Sequence, residues 1–202
     1  MCESCASAFD IVRSEICNKA ISGYSFCYYS TESSAVVNAV KEQGQTSLVQ
    51  FMAQFMASNW PAEYRDVVLV PVPSSPANFK KRGFSHTELL ARQLARRIDA
   101  VSVCNLLFSV RNRSDQVGLS FSEREQNMVD AFKADLRVWR GKNRPVVLID
   151  DVYTSGATLS QAWATLEGLG VNVVGFCVFA QIRPIKPSFT GQESLGSSRL
   201  RL

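Results

Sequence analysis

The sequence predicts an α/β fold built on a mostly parallel sheet. Two stretches carry that expectation. Val146-Val147-Leu148-Ile149 is a short apolar run that ends in Asp150-Asp151. Small hydroxylated residues follow it, and then Leu159, Ala162, Trp163 and Leu166 recur at helical spacing. Val67-Val68-Leu69-Val70 begins a second unit of the same kind, with Pro71-Val72-Pro73 at its end and Leu90, Leu94 and Ile98 one turn apart beyond a polar segment. Uninterrupted apolar strands are what a parallel sheet covered on both faces requires. Ligands bind at the carboxyl ends of such strands.

Taken in order, residues 1–22 form an N-terminal segment holding Cys2-x-x-Cys5 and Cys17. One Cys-x-x-Cys pair is half of a zinc ribbon, and a structural zinc needs four ligands. Two readings stand: a reduced zinc-ribbon remnant using Cys2, Cys5 and Cys17, with Cys27 as a fourth ligand, or an N-terminal helix with free thiols. Tyr24 to Tyr29 reads as a strand. A helix capped by Ser33 or Ser34 carries Val36, Val37 and Val40 and ends at Gly44. Thr46 opens a second helix whose Leu48, Phe51, Met52, Phe55 and Met56 form a core stripe.

After the Val67 strand comes a loop from Ser74 to Phe79, followed by the cationic run Lys80-Lys81-Arg82-Gly83. That run is either a pyrophosphate contact or a solvated surface cluster. His86, the sole histidine, falls in the first turn of the next helix, as a catalytic group or a capping polar residue. Val101 to Val110 reads as a strand, Arg111 to Leu119 as a polar loop and Phe121 to Asp130 as a helix. Ala131-Phe132 and Leu136 are expected in the core, with Val171 to Ala180 as a last strand.

The 202 residues amount to one ordinary α/β domain, residues 23–180, with small appendages. An apolar fraction of 46% suits a globular core. No apolar run reaches the roughly eighteen residues of a membrane span, so no membrane insertion is expected. No signal-peptide pattern opens the chain, and a cytoplasmic protein is expected. Of the formal charge of +4, most resides in residues 181–202, expected to be a disordered basic tail. Six cysteines without a secretory signal argue against disulfides, and Cys104 and Cys177 read as buried thiols.

The loop after Asp151 suits a phosphate. Gly156 lets the backbone approach an anion, and the first N–H groups of the following helix lack intrahelical partners and carry partial positive charge. Thr154, Ser155 and Thr158 add hydroxyl donors. Two carboxylates beside an anion site suit a ligand with a phosphate at one end and hydroxyls or Mg²⁺ nearby, as in a sugar phosphate.

Val146 to Thr158 resembles the phosphoribosyl pyrophosphate (PRPP) motif of type I phosphoribosyltransferases: apolar strand, two acids, T-S/T-G-x-T loop. Two further landmarks extend the resemblance to the ComF/GntX family. Val70-Pro71-Val72-Pro73 leading to Lys81-Arg82-Gly83-Phe84 is similar to its V-P-V-P…R-x-R-G-F-N-Q. Gln116-x-x-Leu119…Arg124-x-x-Asn127…Ala131-Phe132 is similar to its Q-x-x-L…R-x-x-N…A-F. Ser85-His86 departs from the family's Asn-Gln.

The resemblance implies a three-layer, doubly wound, mostly parallel sheet of the type I phosphoribosyltransferase kind with a small N-terminal appendage. It implies that Asp150 and Asp151 hold the ribose hydroxyls directly or through Mg²⁺ bound mainly by PRPP, and act catalytically. Thr154, Ser155, Gly156, Ala157 and Thr158 would hold the 5′-phosphate, and Lys80, Lys81, Arg82 and Gly83 the pyrophosphate. Gln116 and Arg124 would belong to a flexible loop closing over the site. The expected ligands are PRPP and an unknown acceptor, with Mg²⁺ as cofactor. Competence or DNA-uptake proteins are the expected macromolecular partners, and a homodimer is compatible with the sequence. The implied function is either phosphoribosyl transfer or a non-catalytic sensor or interaction module in DNA uptake.

Overall fold

The structure, a computed structural model, describes residues 9, 11–18, 21–98, 102–110, 131–139 and 144–183. Its strands are β1 (Ile11–Asn18), β2 (Ile21–Tyr28), β3 (Val68–Pro71), β4 (Leu107–Ser109), β5 (Phe132–Ala134), β6 (Val146–Tyr153) and β7 (Val173–Gln181). Its helices are α1 (Thr31–Gln43), α2 (Ser47–Ala57), α3 (Pro76–Arg82), α4 (His86–Ala95) and α5 (Ala157–Glu167). The main sheet runs β1-β2-β7-β6-β3, antiparallel at β1/β2 and parallel elsewhere. β4 and β5 form a separate antiparallel pair.

Alternation along β6 explains the layering. Val147 and Ile149 face a core shared with α1, α2 and α4, containing Val37, Met52, Leu90, Leu94 and Phe179. Val146 and Leu148 face the opposite core, with Leu159, Trp163, Leu166, Phe176 and Phe132. Successive side chains of a strand point to opposite faces, so a central strand covered on both sides must be apolar throughout. Helices on both faces make the three-layer α/β arrangement expected of the sequence.

Several expectations are corrected. The N-terminal helix is instead the strand β1, paired with β2 from Ile16↔Gly23 to Asn18↔Ile21. Cys17 is exposed on it, while Cys2 and Cys5 lie outside the described residues. Cys27 is buried: its thiol donates to the Phe179 carbonyl at 3.2 Å, and burial pushes its pKa up to about 12. α1 is capped by Ser30, three residues before Ser33. Ser33 is buried and answers Ser30 in a reciprocal capping box. The Val101–Val110 strand is broken into a single parallel bridge, Leu69↔Val103, and the short β4. Cys104 is only partly buried, and Leu136 is exposed in a 3-10 turn, whereas Phe132 is buried as expected.

The cationic loop is also corrected. Lys80, Lys81 and Arg82 form the last turn of α3. The signals for it are local: Ser75 accepts from the Asn78 N–H at 3.3 Å, Pro76 opens the helix, and Gly83 closes it at φ 76°.

Gly23 shows how closely β2 and β7 approach. It pairs in register with Phe176, and a Cβ there would meet the Phe176 carbonyl oxygen and ring. Backbone in the middle of a sheet cannot yield cheaply, so Gly23→Ala is expected to cost about 1–3 kcal/mol or more. An unchanged urea midpoint would contradict this packing.

Candidate functional site

The carboxyl ends of β3 and β6 open into one cleft of about 230 Å³. Asp150 and Asp151 enter it from β6, Ser74 and Ser75 from the end of β3, Lys41 from α1, Arg82 from α3, His86 from α4, and Thr154 and Thr158 from the loop leading into α5. Parallel strand ends and helix starts converge here because each strand–loop–helix unit reverses at this edge.

The two acids have different surroundings. Asp151 is 4% exposed, and its Oδ2 lies 2.6 Å from Lys41 Nζ and 2.9 Å from His86 Nε2. Burial alone would raise its pKa. The His86 hydrogen bond and the Lys41 charge outweigh that and hold it well below the usual carboxylate range. Asp150 is half-buried, and its Oδ1 accepts the Asp151 N–H at 2.9 Å. Burial, and then the neighbouring Asp151 charge, push it up to about 7, against a partial offset from Lys41.

His86 is held on both ring nitrogens. Nε2 meets Asp151, while Nδ1 lies 3.4 Å from Ser74 Oγ and 3.5 Å from Arg82 Nη1. Next to it, the Thr87 hydroxyl donates to the Val72 carbonyl at 2.7 Å and ties α4 to the end of β3. The Arg82 side chain is 9% exposed; its Nη2 donates to Glu42 Oε1 at 3.0 Å. Its Nε is buried with no hydrogen-bond partner among the described residues. A buried donor without an acceptor is costly, and an anion in the cleft would satisfy it.

Gly156 adopts φ 79° at the start of α5 and is buried. Ser155 Oγ accepts the Ala157 N–H at 3.4 Å. Of the five residues expected to hold a 5′-phosphate, Thr154 and Thr158 line the cleft; Ser155, Gly156 and Ala157 shape the same turn. Of the expected pyrophosphate residues, only Arg82 lines it. Lys80 is exposed, Lys81 is exposed and paired with Glu42 at 2.8 Å, and Gly83 caps α3. Gln116 and Arg124 lie outside the described residues.

Lys41, Ser74, Ser75, Asn78 and Thr87 also line the cleft and were not expected there. Hydroxyls directly after Val70-Pro71-Val72-Pro73 were a readable sign for Ser74 and Ser75. No linear pattern marks Lys41, which reaches the site only because α1 packs beside β6.

A profile of the phosphoribosyl transferase domain matches residues 46–188. The chain belongs to the phosphoribosyl transferase domain family. Among its relatives, this phosphoribosyl transferase domain is 34% identical to Competence protein F of Haemophilus influenzae over 52% of its own length and 46% of that protein's. It is 30% identical to the DNA utilization protein YhgH of Escherichia coli over 46% of its length and 40% of the relative. It is 26% identical to Competence protein ComFC of Bacillus subtilis over 73% and 60%. The alignments thus span under half of the first two relatives. This agrees with the ComF resemblance of its motifs.

The donor set bears on Mg²⁺. Asp150, Asp151 and His86 bring one ligand atom each to within 4.8 Å of one another. His86 and one Asp151 oxygen are already committed to each other, which leaves chiefly hard carboxylate oxygen at Asp150. That fits an ion held mostly by a ligand's own oxygens and water, with a carboxylate assisting. Among the described residues no helix is long and apolar enough to cross a membrane.

Proposed function

We propose that this phosphoribosyl transferase domain binds PRPP with Mg²⁺ and transfers its phosphoribosyl group to an acceptor. The observation that carries the reading is the convergence, in one cleft, of the Asp150-Asp151 pair, the Gly156 turn at the α5 N-terminus, and the buried free Nε of Arg82. A ligand with a diol, a phosphate and a pyrophosphate matches those three features in that order.

In this reading the α5 N-terminus and the hydroxyls of Thr154 and Thr158 take the 5′-phosphate. Asp150 accepts hydrogen bonds from the ribose hydroxyls. Arg82 Nε donates to the pyrophosphate, with the Ser74 and Ser75 hydroxyls on the same side. The bond between ribose C1 and the pyrophosphate oxygen breaks, its electron pair leaves with pyrophosphate, and the acceptor bonds to C1. The protein positions the reactants and stabilises separating charge. Mg²⁺, assisted by Asp150, would neutralise charge on the leaving group.

The experiment is calorimetric titration with PRPP, with and without Mg²⁺. Wild type is expected to bind, more tightly with Mg²⁺, and Asp150→Asn/Asp151→Asn is expected to lose binding. No binding by wild type overturns the proposal.

The names of the competence and DNA utilization relatives favour a second reading: a non-catalytic PRPP sensor or interaction module among DNA-uptake proteins. Pyrophosphate release assayed across candidate acceptors separates the two. Release with one of them supports transfer, and binding without release across the panel supports the module.

A further inference from the structure

The acid pair is unequal in its partners, and the inequality comes from two helices. Lys41 on α1 and His86 on α4 both converge on the single oxygen Oδ2 of Asp151, at 2.6 Å and 2.9 Å. The Asp151 and His86 side chains are 5% and 8% exposed, that of Lys41 26%. The His86 ring is fixed from behind by Ser74 Oγ and Arg82 Nη1. Asp151 is therefore anchored to α1, to α4 and to the end of β3 at once. Among the described residues, Asp150 has only the Asp151 N–H on its Oδ1 and otherwise lines the cleft.

Two nitrogen groups within 3 Å of Oδ2 tie Asp151 to the framework as ion-pair partners, whereas among the described residues no such partner crowds Asp150. Lys41 precedes the matched span of residues 46–188, so this anchor does not follow from the family match.

We propose that Lys41 and His86 are positioning residues that commit Asp151 to the protein framework and leave Asp150 as the carboxylate that meets the ligand. This rests on the cleft being the PRPP site. The competing arrangement is that Lys41, which also borders the cleft, binds a ligand phosphate directly.

A double-mutant cycle on Kd for PRPP with Mg²⁺ decides between them, because residues that act through one another are non-additive. Lys41→Met and Asp151→Asn are each expected to weaken binding roughly 10-fold, the scale of one charge-assisted hydrogen bond. The double variant is expected to be no weaker than the weaker single variant. Asp150→Asn is expected to lose the most, about 100-fold or more, because it removes the contact itself. His86→Gln, whose amide can still donate to Asp151, is expected to bind within about threefold of wild type, whereas His86→Leu falls roughly 10-fold. Lys41→Arg tests rescue by retained charge. Thermal melts without ligand confirm folding of each variant, and a purely structural role would move the melts without the coupling in Kd.

Multiplying losses in Lys41→Met/Asp151→Asn would overturn the positioning role, as would near-normal binding by Asp150→Asn beside lost binding by Asp151→Asn. PRPP binding that persists alongside either result leaves the PRPP reading intact. Wild type that does not bind PRPP overturns both.

Discussion

Replacing Gly156 by alanine is expected to lower the melting temperature by roughly 5–15 °C and to weaken PRPP binding more than about tenfold. Two effects add. At φ 79° a Cβ is strained, costing roughly 1–2 kcal/mol. That Cβ would also stand 2.5 Å from Tyr153 Oη and 2.8 Å from its Cζ. The Tyr153 ring cannot simply swing aside, since it stacks on Phe176 with centroids 5.6 Å apart and planes 9° apart. Overpacking of this kind costs about 1–3 kcal/mol more. Relief must come from the turn itself, and the turn aims Thr154, Thr158 and the α5 N-terminus at the cleft. Gly170→Ala separates the contributions. Gly170 has a similar φ, 75°, but no atom within 4 Å of the added Cβ. It is expected to show the strain alone, about 1–2 kcal/mol, with unchanged PRPP affinity. Equal effects at the two glycines would mean that the Tyr153 contact does not constrain the turn.

The parts legible in the sequence share a physical cause. β3, β6 and β7 are apolar on both faces because helices cover both, so a continuous run in one dimension reports a three-dimensional fact. Gly44 and Gly156 are readable because left-handed backbone leaves few other choices. The β1 strand was not legible. Glu15 and Cys17 are exposed and Ser14 half-buried, so its alternation carries almost no hydrophobic signal, and pairing with β2 decides its conformation. α3 is hidden for a related reason. Its start and stop signals are present, but none of its seven residues is buried, so no apolar periodicity drew attention to it.

The site divides the same way. Asp150, Asp151 and the Thr154–Thr158 turn are contiguous in sequence and were found together. Arg82 was found with Lys80 and Lys81, but charge alone could not say which of the three points inward. On a helix ending at Gly83, only Arg82 turns toward His86 and the cleft. The role of His86 depends on Asp151, 65 positions along the chain, and that of Lys41 on the packing of α1; tertiary contact sets both.

Asp150→Asn is expected to make the ligand-free protein more stable at pH 8 while removing PRPP binding. Asp150 ionises near 3.8 in the unfolded chain and at about 7 in the folded one. The folded state therefore holds the extra proton between those values. Wild-type stability falls as pH rises through that window and is level above it, where the folded protein carries the desolvated carboxylate beside the Asp151 charge. Asparagine keeps the acceptor for the Asp151 N–H and has no charge to desolvate. Urea unfolding at pH 4, 5.5, 7 and 8 should show the variant and wild type converging at the acid end and separating toward pH 8. Asp151 has the opposite sign. Its folded pKa is depressed, so its contribution is full above the unfolded value and is lost as pH falls through the folded one. Asp151→Asn should thus destabilise at pH 7, where Lys41 and His86 lose their shared partner. Parallel stability profiles for wild type and Asp150→Asn would show that Asp150 carries no such cost. Opposite signs from adjacent carboxylates are what one strand end yields when the framework satisfies one acid and leaves the other to a ligand.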